Sequence, residues 1–239
     1  MIRWDVAGPY EVVFSTREGG VSAGAYASLN LGRLTGDDVH RVDENRRILC
    51  AEVDADAELL ALNRQVHSTL VHRARPGARG EPGDGLWTDE PGQPVLAMSA
   101  DCLPIALARA DGEPAVAVLH AGWRGLLDGI VAAGAAALAT PCVSETQGRL
   151  LAAVGPAIGP CCYEVGEEVS RPFAAAFGDD VVRGRNLDLW TSAERALAAA
   201  GAEVTFRADV CTRCNPDRFF SHRRTGKPRG VQGVVARVA

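Results

Sequence analysis

Two apolar runs, LPIALARA (103–110) and AVAVLHA (115–121), are separated by only the four residues DGEP. A link that short cannot carry a crossover between parallel strands, so the runs must return on each other as an antiparallel hairpin. Their unbroken apolar character suits strands buried in a core. PVLAMSA (94–100) reads as another buried strand, and LVHRA (70–74) alternates as a strand does. Helical spacing marks VDENRRILCAEV (42–53) and LLDGIVAAGAAALA (126–139); TSAERALAAAG (191–201) adds Thr191 and Glu194 as a capping box and Gly201 as a stop. RARPGARGEPGDG (73–85) reads as a surface loop. Hairpins among irregularly alternating strands and helices predict an α+β chain with a large mixed sheet. Neither G-x-G-x-x-G nor G-x-x-x-x-G-K-[ST] is present to argue for a doubly wound nucleotide fold.

With 239 residues, 47% of them hydrophobic, the chain can bury a sizeable core, and no repeat or low-complexity linker marks a boundary. A net charge of −5 without any basic block excludes nucleic acid or an anionic membrane held by bulk electrostatics, so a phosphate must be gripped locally. The opening MIRWDVAGPYEVV has charges in its first five residues, and no later run is long enough for a membrane span; the expectation is a cytoplasmic protein. Seven cysteines, an odd number and mostly in apolar contexts, read as reduced thiols.

The hairpin carries a thiol to an imidazole. A turn centred on Asp111-Gly112 sets Cys102 opposite Ala121, and one centred on Gly112-Glu113 sets it opposite Trp123; either way Cys102 and His120 lie at the same end of the sheet. A buried cysteine and a core histidine are each ordinary alone. Together, and followed by the polar corner Gly122-Trp123-Arg124-Gly125, they mark a site. Among the other imidazoles, His40, His67, His72 and His222, the best placed is His67, at the mouth of a strand beside Asn63, Arg64, Gln65 and Ser68. Two neutral imidazoles and one thiolate suit Zn²⁺ with a position left open, and long sequence separations favour a catalytic site over a zinc finger. The resulting net charge of about +1 leaves the ion a useful Lewis acid.

Seven segments in order, FSTREGGVSAGAYASLNLG (14–32), VDENRR (42–47), QVHS (65–68), SADCLPI (99–105), HAGWRG (120–125), VGPAIGPCCYEVG (154–166) and FFSHRRTG (219–226), resemble the laccase-domain family, regarded as purine nucleoside phosphorylases and formerly described as multicopper polyphenol oxidoreductases. The resemblance implies one domain over residues 1–239 with a layered α/β/β/α fold and mixed sheets. It implies zinc, with copper as the other ion, on the catalytic and metal-binding positions His67, Cys102 and His120. It further implies phosphorolysis of adenosine, inosine and methylthioadenosine, and deamination of adenosine, with purine nucleoside and phosphate as partners. The oligomeric state is open, with a monomer favoured.

Phosphorolysis requires cationic or N–H-rich groups near the metal. Arg17, Arg46, Arg124 and Arg224 lie inside the motifs, and Gly125 at the start of helix 126–139 offers free backbone N–H groups. Each arginine has a surface-charge reading beside the functional one, and Arg46 could pair with Glu44 or Asp43 along a helix. Asn30 could bond ribose or base, or simply form a turn. His222 stands where the family often has tyrosine, which suggests stacking on a base. Cys211-Thr-Arg-Cys214 has metal or redox spacing but no second pair that matches it, and Cys161-Cys162 lies in a Gly-Pro corner; neither pair receives a role. Rival functions remain: a metal-free cysteine hydrolase with Cys102 as nucleophile and His120 as base, a copper polyphenol oxidoreductase with Met98 as axial ligand, or a nucleotide sensor with structural zinc closed by a fourth ligand such as Cys161. Five histidines are too few for a blue-copper centre plus a trinuclear cluster in one chain.

Overall fold

A computed structural model describes residues 1–139 and 148–239. One mixed sheet runs, edge to edge, β1 (Ile2–Arg3), β2 (Tyr10–Phe14), β14 (Gln232–Val238), β7 (Val95–Ser99), β3 (Ala61–Arg64) and β5 (Arg79–Pro82). The second runs β13 (Ala202–Arg207), β10 (Leu150–Val154), β8 (Leu103–Arg109), β9 (Val116–Ala121), β6 (Gly85–Thr88) and β4 (Val71–Arg73). A small ribbon, β11 (Val182–Arg183) with β12 (Asn186–Leu187), stands apart from both. The helices are α1 (Val39–Ala51), α2 (Trp123–Asp128), α3 (Ile130–Leu138), α4 (Glu167–Phe177), α5 (Leu189–Ala199) and the short α6 (His222–Thr225). None of the described helices is long and apolar enough to cross a membrane.

Side-chain alternation along the central strands builds the layers. Ala106, Ala108, Val116 and Val118 face the other sheet, where Val12, Phe14, Ala97 and Val234 meet them. Their neighbours Ile105, Leu107, Ala117 and Leu119 turn the other way and pack beneath Ile130, Phe173 and Leu197 of the helices. On the far side, Val13, Leu96 and Val235 pack against Leu49 and Cys50 of α1. The order is therefore helix, sheet, sheet, helix, the single-domain α/β/β/α arrangement, and strands covered on both faces read as continuous apolar runs for that reason.

The hairpin register pairs Pro104 with His120 and Ala108 with Val116. It lies midway between the two that DGEP allowed and brings Gly122, the residue after the ladder's end, opposite Cys102. Other expectations are corrected. The helix expected over 126–139 is two helices broken at Gly129, whose φ of +101° a side chain would strain. Gly125 thus lies inside α2 and starts no helix. Helix α5 is capped by Asp188, whose carboxylate accepts from the Thr191 N–H at 3.1 Å and from its hydroxyl at 3.0 Å; Thr191 sits in the first turn, and Glu194 pairs with Arg207 instead of closing a capping box. The stretch 73–85 is not all loop, because it holds the exposed edge strand β5 and the buried Asp84.

Candidate metal centre and cavity

Two connections cross from one sheet to the other close to one another. Residues 100–102 lead from β7 of one sheet to β8 of the other, and 65–70 lead from β3 to β4. His120 lies on the face of β9 that looks toward the other sheet, in line with Val118 and Val116. Cys102 has the same parity as Pro104 and Ala106 and shares that face. His67 reaches in from the β3–β4 crossing. The ligand atoms of His67, Cys102 and His120 all lie within 4.8 Å of one another; Cys102 Sγ is 3.8 Å from His67 Nε2, and the two rings meet edge to face with centroids 4.9 Å apart.

One carboxylate holds this geometry. Asp84, in the turn between β5 and β6, accepts the backbone N–H groups of Val66 (3.1 Å), His67 (3.0 Å) and Ser68 (2.6 Å), and the Ser68 hydroxyl (2.8 Å). It also accepts from His120 Nδ1 at 2.8 Å, while its own carbonyl takes the His120 N–H at 2.7 Å. Wrapping three successive amides around one anion sets His67 in the left-handed region, φ +61°. Holding the proton on His120 Nδ1 turns Nε2 toward Cys102, which is how a metal-binding histidine is oriented. The Gln65 amide fastens the base of the same loop, donating to Met98 O at 2.6 Å and accepting from Met98 N–H at 2.8 Å.

Gly122 is required by contact. A Cβ there would lie 2.4 Å from His67 Cδ2 and 3.3 Å from Cys102 Sγ, filling the space between the ligands. Asp101, at φ +97°, accepts from Thr212 Oγ1 (2.6 Å) and the Arg223 N–H (2.7 Å), and its carbonyl takes the Ile158 N–H at 2.9 Å. The residue before Cys102 thus ties together the 157–163 corner, the 211–214 loop and α6.

The electrostatics follow from these contacts. Burial pushes the Cys102 thiol up, but the charge of His120 and hydrogen bonds to both imidazoles outweigh it and bring the group down to about 6. Burial lowers His120, and the Cys102 thiolate together with Asp84 overcomes that and raises it to about 9. Asp84, though burial opposes its charge, is held ionised far below the usual carboxylate range by His120 and Ser68. Without metal the pair is thiolate and imidazolium; a cation held by His67, Cys102 and His120 would take the place of the imidazolium proton. Two imidazoles, one thiolate, a carboxylate behind one imidazole and the space kept by Gly122 fit a metal ion.

The ligands open onto a cavity of about 840 Å³, a size suited to a nucleoside-sized molecule. Its wall is strongly cationic, carrying Arg46, Arg64, Arg79, Arg223, Lys227 and Arg229. Among the described residues the buried Nε of Arg229 has no hydrogen-bond partner, and the group lies close enough to Asp101 and Cys102 to feel their charges. Tyr163 also lines the cavity; burial and the nearby Cys102 push its phenol up to about 12, so it stays protonated at neutral pH.

Of the substrate-binding residues expected from the motifs, only Arg46 reaches this cavity, and its Nε and Nη2 both donate to Leu31 O, at 2.9 and 2.7 Å, so the helical pairing with Glu44 or Asp43 does not form. Burial and the neighbouring charges of Arg33 and Arg79 lower it to about 10. The others lie outside the cavity wall and brace backbone or stack. Arg17 donates to Ala27 O and Pro216 O over the Phe220 ring, and Arg224 to the carbonyls of Thr212, Arg213 and Phe219. Arg124 stacks on Trp123. Asn30 is fully buried, accepting from the Gly32 and Val231 N–H groups. His222 does line the cavity, where burial and Arg229 hold it below the usual imidazole range. Sequence reasoning missed Asp84 and Arg229. Asp84 sat in a Gly-Pro stretch with no motif around it, and Arg229 follows the last recognisable segment.

The chain shares its sequence and its fold with known proteins. Relatives called purine nucleoside phosphorylase include one from Deinococcus radiodurans, 38% identical over 94% of this chain and 89% of its own, and YfiH of Escherichia coli, 37% identical over 88% of this chain and 86% of its own. A crystal structure of a Neisseria meningitidis protein superposes with a TM-score of 0.84 at 32% identity, covering 99% of this chain and 98% of that one. YlmD from Geobacillus stearothermophilus superposes with a TM-score of 0.81 at 30% identity, over 96% and 92% of the two chains. The family model described as multi-copper polyphenol oxidoreductase laccase matches residues 11–238, and the chain belongs to that family.

Proposed function

We propose that the protein is a metal-dependent purine nucleoside phosphorylase that uses zinc on His67, Cys102 and His120, accepts adenosine, inosine and methylthioadenosine, and deaminates adenosine at the same site. The observation that carries this reading is the convergence of a three-donor cluster with a cationic cavity of nucleoside size. The names of the relatives support the phosphorylase part. When bound, the ion supplies Lewis acidity, which serves both an activated water for deamination and the charge that develops as a purine departs.

The chain's own residues account for the rest. In phosphorolysis a phosphate oxygen bonds to C1′, the C1′–N9 bond breaks, and its electron pair leaves with the purine, which takes up a proton. Arg229, with an unpaired buried donor, is the anchor for phosphate, and Lys227 and Arg223 add charge on the same side. Tyr163 keeps its proton and offers a donor to the base or the sugar. His222, held neutral, offers a flat ring for the purine. Incubating purified protein with adenosine and phosphate, with and without chelator, tests the reading. Adenine with ribose 1-phosphate, and inosine from the deamination branch, should form only with metal present. No turnover of any purine nucleoside by metal-loaded protein refutes it.

A second reading rests on a specific observation. Cys102 as a thiolate nucleophile, His120 as the base that has taken its proton, and Asp84 as the carboxylate orienting the ring have the pattern of a cysteine hydrolase. Such an enzyme keeps its activity under chelation, whereas the proposed one loses it. Copper on the same donors is the other ion the set accommodates, and reloading the stripped protein with each ion in turn separates them.

A further inference from the structure

A second group of thiols meets on the outer side of the cavity wall. Cys161 and Cys162 lie in the corner after β10, and Cys211 and Cys214 in the loop after β13; their four sulfurs all lie within 4.8 Å of one another. Cys214 Sγ is 3.3 Å from Cys162 Sγ and 3.6 Å from Cys161 Sγ. Four thiolates on one zinc ion at bonds of about 2.3 Å stand about 3.8 Å apart, so these separations are those of a tetrathiolate cage and too long for a disulfide. We propose that Cys161, Cys162, Cys211 and Cys214 bind a second zinc ion, in a closed structural site distinct from the His67–Cys102–His120 centre.

Three further features fit that assignment. Cys211 and Cys214 have the two-residue spacing of a zinc knuckle, and Cys211 Sγ already accepts the Gly159 N–H at 3.2 Å, the kind of bond that supports a metal thiolate. Four thiolates around Zn²⁺ leave a charge of about −2, and cationic groups stand beside the loop: Arg213 lies between the two cysteines, and the Arg224 guanidinium donates to the carbonyls of Thr212 (2.9 Å) and Arg213 (3.1 Å). The two loops are already paired through Thr212 N–H to Ala157 O at 3.0 Å, which holds them in register for a shared ion. Each thiol gives up its proton to solvent as its sulfur bonds to the ion, so loading releases protons and changes no oxidation state. The site would fasten the two segments that hold Asp101 from either side, and through Asp101 the approach to Cys102.

The assignment does not depend on the proposed reaction. Reduced protein is loaded with zinc, desalted and analysed for metal per chain as wild type, as Cys161→Ser/Cys214→Ser and as His67→Ala/Cys102→Ala. The expected contents are two equivalents for wild type and one for each double variant. A wild type that carries no more zinc than the Cys161→Ser/Cys214→Ser variant overturns the proposal. Because that variant could fail to fold, the His67→Ala/Cys102→Ala protein is also titrated with Co²⁺. Tetrahedral d–d bands together with sulfur-to-cobalt charge transfer saturating at one equivalent support the site. No such bands, or a disulfide among the four cysteines found by mass mapping of the reduced and reloaded protein, overturns it.

Discussion

Asp84 does at the residue scale what no single ligand can: it fixes the tautomer of His120 and folds the 66–68 loop that presents His67. Asp84→Asn turns one acceptor oxygen into a donor facing other donors. Metal affinity measured by competition with a chromophoric chelator should fall about 10- to 100-fold. Gly122→Ala pushes a methyl into His67 and should abolish metal-dependent turnover while the far-UV circular dichroism stays native; wild-type turnover would show that the space between the ligands is not needed. The ion pair makes a prediction with a sign. A thiol lowered to about 6 is a thiolate above that pH, so in metal-stripped protein alkylation of Cys102, followed by peptide mass mapping, should rise through pH 6 and level off well before the ordinary thiol range. Bound metal should protect it. Asp84 could not be read from the chain, because its role exists only once three separate segments surround it; Cys102 and His120 could, because one short hairpin fixes their separation.

At the scale of elements, the apolar runs, the hairpin and the periodic helices were legible because buried strands and amphipathic helices carry their pattern locally. Helix ends were less so. Asp188 outcompetes Thr191 as the cap because its longer reach satisfies both the N–H and the hydroxyl of Thr191, and Gly129 breaks a run whose alanines favour continuation. Asp188→Ala should cost about 1 kcal/mol in denaturant unfolding, and Thr191→Ala clearly less. Gly129→Ala should also destabilise, by roughly 1–2 kcal/mol, since a Cβ at φ +101° is strained wherever space allows it. An unchanged or raised midpoint for Gly129→Ala would mean that the break between α2 and α3 is not set by that residue.

For the whole molecule, the layered architecture builds the site where His67 and Cys102, on two connections between the sheets, meet His120 at the end of β9. Membership in a recognisable motif proved a poor guide to which arginines face the cavity. Arg17 and Arg224 satisfy backbone carbonyls that loops leave exposed, a structural need that fixes such residues in place, whereas Arg229 comes from the approach to the last strand. Arg229→Ala should therefore raise the KM for phosphate at least about 10-fold, as expected for loss of a charge-assisted contact, while Arg124→Ala leaves it near wild type; the reverse pattern would move the anion site to the α2 corner. The convergence of the two cysteine pairs was not legible for a related reason, since adjacent cysteines and a CxxC lack a common spacing until the chain folds. The central claim is that three distant residues share one ion, and anomalous diffraction at the zinc edge from zinc-loaded crystals addresses it without recourse to activity. A peak at bonding distance, about 2.0–2.3 Å, from His67 Nε2, His120 Nε2 and Cys102 Sγ together is the predicted result. An ion that any one of those three atoms fails to touch would contradict it.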